Sequence, residues 1–158
     1  MGFIMDSIDE FFKEEGWPVS KIGDHPALSM TYGGKEDAWP CIAQVVEDEG
    51  LFLFYSSCPV NATEDKRAAL GLFLSYANYT SFVGGFELSE EDGDIRFRTE
   101  LLIKGINEKN LTQGKVFQDL IRNVVYANLQ NMELYLPSIK AVLSGKDPLE
   151  VIKKFALL

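Results

Sequence analysis

The sequence predicts an α+β fold in which an antiparallel sheet packs against helices, and three observations predict it. Apolar residues alternate with period two from Val19 to Ser56 and again from Phe82 to Ile103. They recur every three or four positions at both ends of the chain and between the two alternating stretches. Strands therefore come in blocks interrupted by helices, whereas strict strand–helix alternation would signal a parallel α/β fold. With 158 residues the chain is long enough to bury a core without disulfides or structural metal, and one domain spanning 1–158 is expected.

The elements follow in order. Ile4, Ile8, Phe11 and Phe12 lie on one helical face, and Ser7 with Glu10 has the S-x-x-E form of a capping box, so a first helix runs to about Glu15. Gly16 and Pro18 stop it. Leu28, Met30 and Tyr32 then share one strand face, Gly33–Gly34 makes a turn, and Cys41, Ala43 and Val45 alternate on the next strand. Glu47–Gly50 is a polar reversal into the strand Leu51–Tyr55, which completes a meander. Asn61, with Glu64 three positions on, is placed to cap a second helix. That helix is apolar around most of its circumference through Leu70, Leu72, Phe73, Leu74, Tyr76 and Ala77, which predicts packing neighbours on two sides.

A hairpin follows, turning at Ser89–Gly93 between Phe82–Leu88 and Ile95–Ile103. After a polar loop from Gly105 to Asn110, Phe117, Ile121, Val125, Leu129, Met132, Leu136, Ile139 and Leu143 mark one long helix. Pro137 is expected to kink or break it. Asp147-Pro148 opens a last helix with an N-cap and a first-turn proline.

Composition excludes several functions. Fifteen Lys and Arg against 24 Asp and Glu leave a formal charge of -9, which repels phosphate backbones and anionic lipid, so neither nucleic acid nor membrane is an expected partner. No run approaches the apolar length of a membrane helix, and the acidic start MGFIMDSIDEFFKEEG lacks the basic then apolar order of a signal peptide, so the expected compartment is the cytoplasm. Cys41 and Cys58 fit neither a disulfide framework nor a zinc site.

Catalytic chemistry is sparse. The one histidine, His25, sits in the turn-like Asp24-His25-Pro26 and reads as a solvated residue. A papain-like pairing of Cys58 with His25 and Asn61 is the remote enzymatic alternative; the simpler reading makes Cys58 a small apolar residue at a strand end. Gly33–Gly34 and Gly84–Gly85 lack the spacing of phosphate-binding loops, and the acidic run from Glu87 to Asp94 lacks the order of a calcium loop. No catalytic residue, metal or cofactor is expected. Apolar residues fill both faces of Leu51–Tyr55, so either helices cover both faces or one face meets a partner.

Several strings carry a family resemblance. Phe11-Phe12-Lys13-Glu14-Glu15-Gly16-Trp17-Pro18, Phe54-Tyr55-Ser56-Ser57-Cys58-Pro59-Val60-Asn61, Ala77-Asn78-Tyr79, Gly84-Gly85-Phe86-Glu87, Asp92-Gly93-Asp94-Ile95-Arg96-Phe97-Arg98, Val125-Tyr126-Ala127-Asn128 and Tyr135-Leu136-Pro137 resemble the YbjN-like family. The resemblance implies a fold similar to type III secretion chaperones, which are compact acidic proteins that commonly dimerise and hold an extended client segment. It implies a homodimer with Leu72, Phe73 and Tyr76 as candidate dimer face, and a protein client on the sheet around Phe52, Phe54 and Tyr55. A chaperone-like or regulatory protein-binding module is thus the expected function. A small-molecule sensor with an apolar pocket between sheet and long helix is the alternative.

Overall fold

The computed structural model describes residues 2–155, and a six-stranded antiparallel sheet organises it. Helix α1 (Phe3–Glu15) leads into β1 (Ser20–Lys21), β2 (Ala27–Gly33), β3 (Ala38–Val46) and β4 (Leu51–Ser57). Helix α2 (Glu64–Thr80) precedes the hairpin β5 (Gly85–Leu88) and β6 (Ile95–Leu102), and α3 (Glu108–Thr112), α4 (Val116–Leu143) and α5 (Pro148–Ile152) complete the order. The strands lie in the order β1-β2-β3-β4-β6-β5, so the hairpin inserts β6 beside β4 and leaves β5 at the edge. The turn between β5 and β6 fits Gly93, whose φ of 74° is left-handed and whose missing Cβ leaves room for the carbonyl of Ala62.

Alternation fixes two different faces. Leu28, Met30, Trp39, Cys41, Ala43, Val45, Phe52, Phe54, Ile95, Phe97 and Phe86 are buried on one face, beneath the helices. Helix α4 crosses this face over β4 and β6, α1 brings Phe12 onto Phe54, and α2 packs against β5 and α4. Leu51, Leu53, Tyr55, Ile42 and Val46 point the other way and are half-buried, while Leu102 is 63% exposed. The expectation that helices might cover both faces is therefore corrected, because among the described residues the helices packed on the sheet meet the Phe52–Phe54 side.

Both sheet edges are blunted against strand addition. Strand β1 has only two residues, and β5 is sealed by Asn78 of α2, whose amide donates to the Phe86 carbonyl (3.0 Å) and accepts from the Phe86 N–H (2.6 Å). A single side chain thus occupies the position an added strand would take.

Helix ends depart from their sequence signals. Ser7 does not cap α1: the helix begins four residues earlier, and Ser7 donates to the Phe3 carbonyl at 2.8 Å from within it. The first-turn amides of Ile4 and Met5 are held instead by the carboxylate of Glu47, from the turn before β4. Asn61 likewise lies ahead of α2, whose N-cap is Thr63, and its amide faces the Asp92 carbonyl at the hairpin tip. Asp147 does cap α5, accepting from the Leu149 N–H at 3.2 Å. The polar loop predicted for Gly105–Asn110 gives way at Glu108 to the short helix α3, capped by Asn107.

Pro137 does not break α4, which runs unbroken from Val116 to Leu143. Proline denies a hydrogen bond to the carbonyl of Glu133 at a cost of about 3 kcal/mol, but Pro137 itself is exposed while Leu136, Ser138, Ile139 and Val142 on either side are buried. Core packing carries the helix past the defect. Pro137→Ala is accordingly expected to raise the unfolding free energy by about 1–3 kcal/mol in urea titration, with no change in helix content by circular dichroism.

Candidate functional site

Burial sorts the candidate residues of the sequence. Phe73 is fully buried between α2 and α4, its ring 6.4 Å from Tyr135, whereas Leu72 and Tyr76 are each 44% exposed on the outer face of α2. On the sheet, Phe52 and Phe54 are core residues, and Tyr55 alone of that group faces outward. The physical reason is the period of each element: neighbours in a strand point to opposite faces, and Phe73 is one residue, or about 100°, away from Leu72 around the helix.

The exposed face of α2 continues beyond what the sequence singled out. Tyr79 is 89% and Phe82 93% exposed, with Val83 beside them. Ala68, Leu72, Ser75, Tyr76 and Tyr79 recur at helical spacing, and all are solvent-facing. No charged residue lies between Arg67 and Glu87, in a chain where one residue in four is charged. The missed signal was that charge gap; helical periodicity alone could not find Phe82, which follows the helix.

The open sheet face combines an apolar half with a charged half. Ile42 pairs with Tyr55 and Val46 with Leu51, so aliphatic and aromatic side chains adjoin across β3 and β4, with the polar Gln44 between them opposite Leu53. Across β4 and β6, Tyr55 pairs with Arg98 and Leu53 with Glu100. The Arg96 guanidinium lies 4.6 Å from the centre of the Tyr55 ring and pairs with Glu87, which also holds Arg98. These exposed pairs contribute little stability, but they leave the face with balanced charge in a strongly acidic protein.

A cleft of about 800 Å³ separates the β2–β3 turn from α4. Tyr32, Trp39, Tyr126 and Leu129 contribute to its apolar floor, and Lys35, Glu36, Gln130, Glu133, Leu134 and Pro137 to its walls. The turn is clamped to the helix where Glu133 accepts the Lys35 N–H at 2.8 Å and Lys140 pairs with Asp37 at 2.6 Å. Gly34 permits this approach, since a Cβ there would collide with the Glu133 carboxylate and the Trp39 ring.

Beside the cleft, Glu15 accepts from the Tyr126 hydroxyl at 2.6 Å and from Arg122 at 3.1 Å. The Tyr126 hydrogen bond, aided by Arg122, holds the Glu15 carboxyl below its usual range, and the same bond pushes Tyr126 up to about 12. A depressed carboxyl stabilises the fold above its unfolded pKa of about 4.3 and loses that contribution as pH falls through the folded value. A raised tyrosine contributes below about pH 10, and that contribution disappears as pH rises through about 12. Stability measured across pH should therefore fall at both extremes, and Glu15→Gln should flatten the acid limb relative to the parent protein.

The geometry separates the residues of the enzymatic alternative. His25 is exposed in the turn ahead of β2, level with the far end of β3, whereas Cys58 follows β4 at the opposite end of the sheet. Ala27 aligns through Gln44 with Leu53, and Cys58 lies five residues farther on, which is roughly 16 Å along the strand. Burial also pushes the Cys58 and Cys41 thiols up to about 11, so both stay protonated at neutral pH. Among the described residues no group of three or more His, Cys, Asp and Glu could hold a metal ion, and no helix is long and apolar enough to cross a membrane.

Comparison with known proteins places this architecture. Residues 5–113 match the YbjN family model, described as "Putative bacterial sensory transduction regulator". The crystal structure of YbjN from E. coli, described as "a putative transcription regulator", superposes with a TM-score of 0.59 at 11% identity, over 87% of this chain and 91% of that one. ExsC in the ExsC–ExsE complex superposes with a TM-score of 0.54 at 12% identity, over 85% of this chain and 91% of that one. At these identities the likeness concerns the fold, which is the antiparallel sheet and helices of a type III secretion chaperone. No curated protein matches the chain.

Proposed function

Because the chain belongs to the YbjN family, we propose that it is a non-enzymatic protein-binding module, a chaperone-like or regulatory adaptor. In this reading it pairs with a second copy of itself through the outer face of α2 and holds a client protein on the open face of the sheet. The observation that carries the reading is the uncharged, solvent-facing stripe of Leu72, Tyr76, Tyr79 and Phe82 on a chain of net charge -9. Large exposed apolar patches on proteins that remain monomeric are uncommon, and aromatic side chains dominate binding energy where they are buried by a partner. A surface without charge also lets two equally acidic molecules meet without local like-charge repulsion.

The sheet is the client surface in this reading, with Tyr55, Leu53 and Leu51 in the place first assigned to Phe52 and Phe54. Its edges are blunted, so recognition uses side chains on the face, and backbone pairing at an edge has no part in it. That ExsC was crystallised with ExsE supports a protein partner for this fold. Two buried free cysteines suit a reducing compartment, and the cytoplasm is the site of action proposed.

Affinity capture with the parent protein and with Leu53→Asp/Tyr55→Asp tests the client surface. Both side chains are half-buried on the outer face, so the variant should fold, and its far-UV spectrum and unfolding midpoint provide the control. Loss of a partner that the parent captures, with α2 unchanged, is the expected result. Identical capture by the two folded proteins would remove the sheet face from the proposal.

A further inference from the structure

We infer that the cleft between the β2–β3 turn and α4 binds a small organic cation, a guanidinium or alkylammonium group on a short apolar stem. The cleft lies on the helix-covered side of the sheet, apart from the outer faces assigned to partners, and the inference stands independently of that assignment.

Two features of its construction point to a cation. Its floor is aromatic: Tyr32 and Tyr126 are partly exposed, and the Tyr32 ring lies 5.2 Å from that of Trp39 and 5.9 Å from that of Trp17. The faces of such rings attract cations through their quadrupole. Its walls are rich in acceptors. Glu36 is exposed at the turn and forms no ion pair among the described residues, and Glu133 spends one carboxylate oxygen on the Lys35 N–H and keeps the other. With Asp37 and Lys140 paired to one another, the carboxylates of Glu36 and Glu133 still outnumber the Lys35 ammonium. The net acidity of the whole protein concentrates cations at such a mouth.

Pro137 supplies the second, independent argument. Proline within an exposed helix face costs about 3 kcal/mol relative to alanine, and its effect is to leave the Glu133 carbonyl without its helical donor. Glu133 and Pro137 both line the cleft, so the residue whose carbonyl lacks its helical donor belongs to the helix wall. The defect costs the fold stability and falls beside a carboxylate and an aromatic floor. A guanidinium or ammonium supplies a donor to the Glu133 carboxylate oxygen that the Lys35 N–H leaves free.

The probes are N-acetyl-arginine amide and its neutral isostere N-acetyl-citrulline amide, titrated against the full chain with tryptophan fluorescence and amide chemical shifts as readouts. The arginine derivative is expected to saturate in the millimolar range, shifting the amides of Lys35, Glu36 and Leu134, and citrulline to bind at least about tenfold more weakly. Glu133→Gln keeps an acceptor for the Lys35 N–H while removing the charge, and should weaken the arginine derivative about tenfold. Pro137→Ala should weaken it several-fold while raising the unfolding midpoint, a combination that misfolding cannot produce. Equal binding of the two probes, absence of saturation, or a Pro137→Ala variant that is stabilised yet binds unchanged would overturn the inference. Binding of an arginine-containing peptide without binding of the free amide would overturn the assignment of a small ligand.

Discussion

Asn128→Asp should be the most damaging isosteric change in the protein, lowering the unfolding free energy by about 4 kcal/mol or more. Asn128 is fully buried on α4, and its amide nitrogen donates to the carbonyls of Phe54 (2.8 Å) and Phe97 (3.0 Å) and approaches the Thr99 hydroxyl (3.2 Å). The Thr99 hydroxyl returns to the Val124 carbonyl on the helix at 3.0 Å. One amide therefore bolts α4 to the centre of the sheet, across β4 and β6. Aspartate has the same shape, but ionised it buries a charge against two carbonyl oxygens with no donor between them, and protonated it offers one hydrogen where the amide offers two. Asn128→Ala removes the bonds without adding repulsion and should cost about 2–3 kcal/mol. Urea unfolding of both variants checks the order: a loss for aspartate no larger than a typical surface substitution would show that the amide is not the bolt.

The second large effect concerns association. Leu72→Glu/Tyr76→Glu places two like charges on an uncharged helix face of an acidic chain, where a two-fold contact would bring them against themselves. Both side chains are 44% exposed, so the monomer should lose no more than about 0.5 kcal/mol per site. The self-contact, by contrast, would lose its apolar anchors and gain buried unpaired charge, several kcal/mol in all. The expected variant is a stable monomer. Phe73→Glu is the informative contrast: its side chain is core, so it should fail by unfolding.

The strands, caps and buried polar groups differ in how far the sequence alone reveals them. Period two in Leu28–Tyr32, Cys41–Val45 and Ile95–Ile103 reveals the strands, because one face of each is polar enough to contrast with the other. In Leu51–Tyr55 both faces are apolar, so alternation separates Phe52 and Phe54 from Leu53 and Tyr55 without saying which pair meets the helices. That is decided by α4 and by Phe12 of α1, distant in sequence. Asn128 interrupts an otherwise apolar helical stripe and is invisible as a functional residue until the carbonyls of Phe54 and Phe97 are brought beneath it. The capping roles of Ser7 and Asn61 fail for a related reason, since Glu47 caps α1 from far along the chain and local spacing cannot register a remote donor or acceptor. Pro137 reads locally as a break, and only the burial of Leu136, Ile139 and Val142 explains why the helix continues.

The central claim is that the outer face of α2 is an interface between two copies of the chain. Sedimentation equilibrium of the parent protein and of Leu72→Glu/Tyr76→Glu, from low to high micromolar concentration, tests it most directly. The account predicts a parent protein that fits twice the monomer mass of 17.7 kDa and a folded double variant that fits the monomer mass. A parent protein that stays monomeric at the highest concentration, or a double variant that dimerises as the parent does, would contradict it.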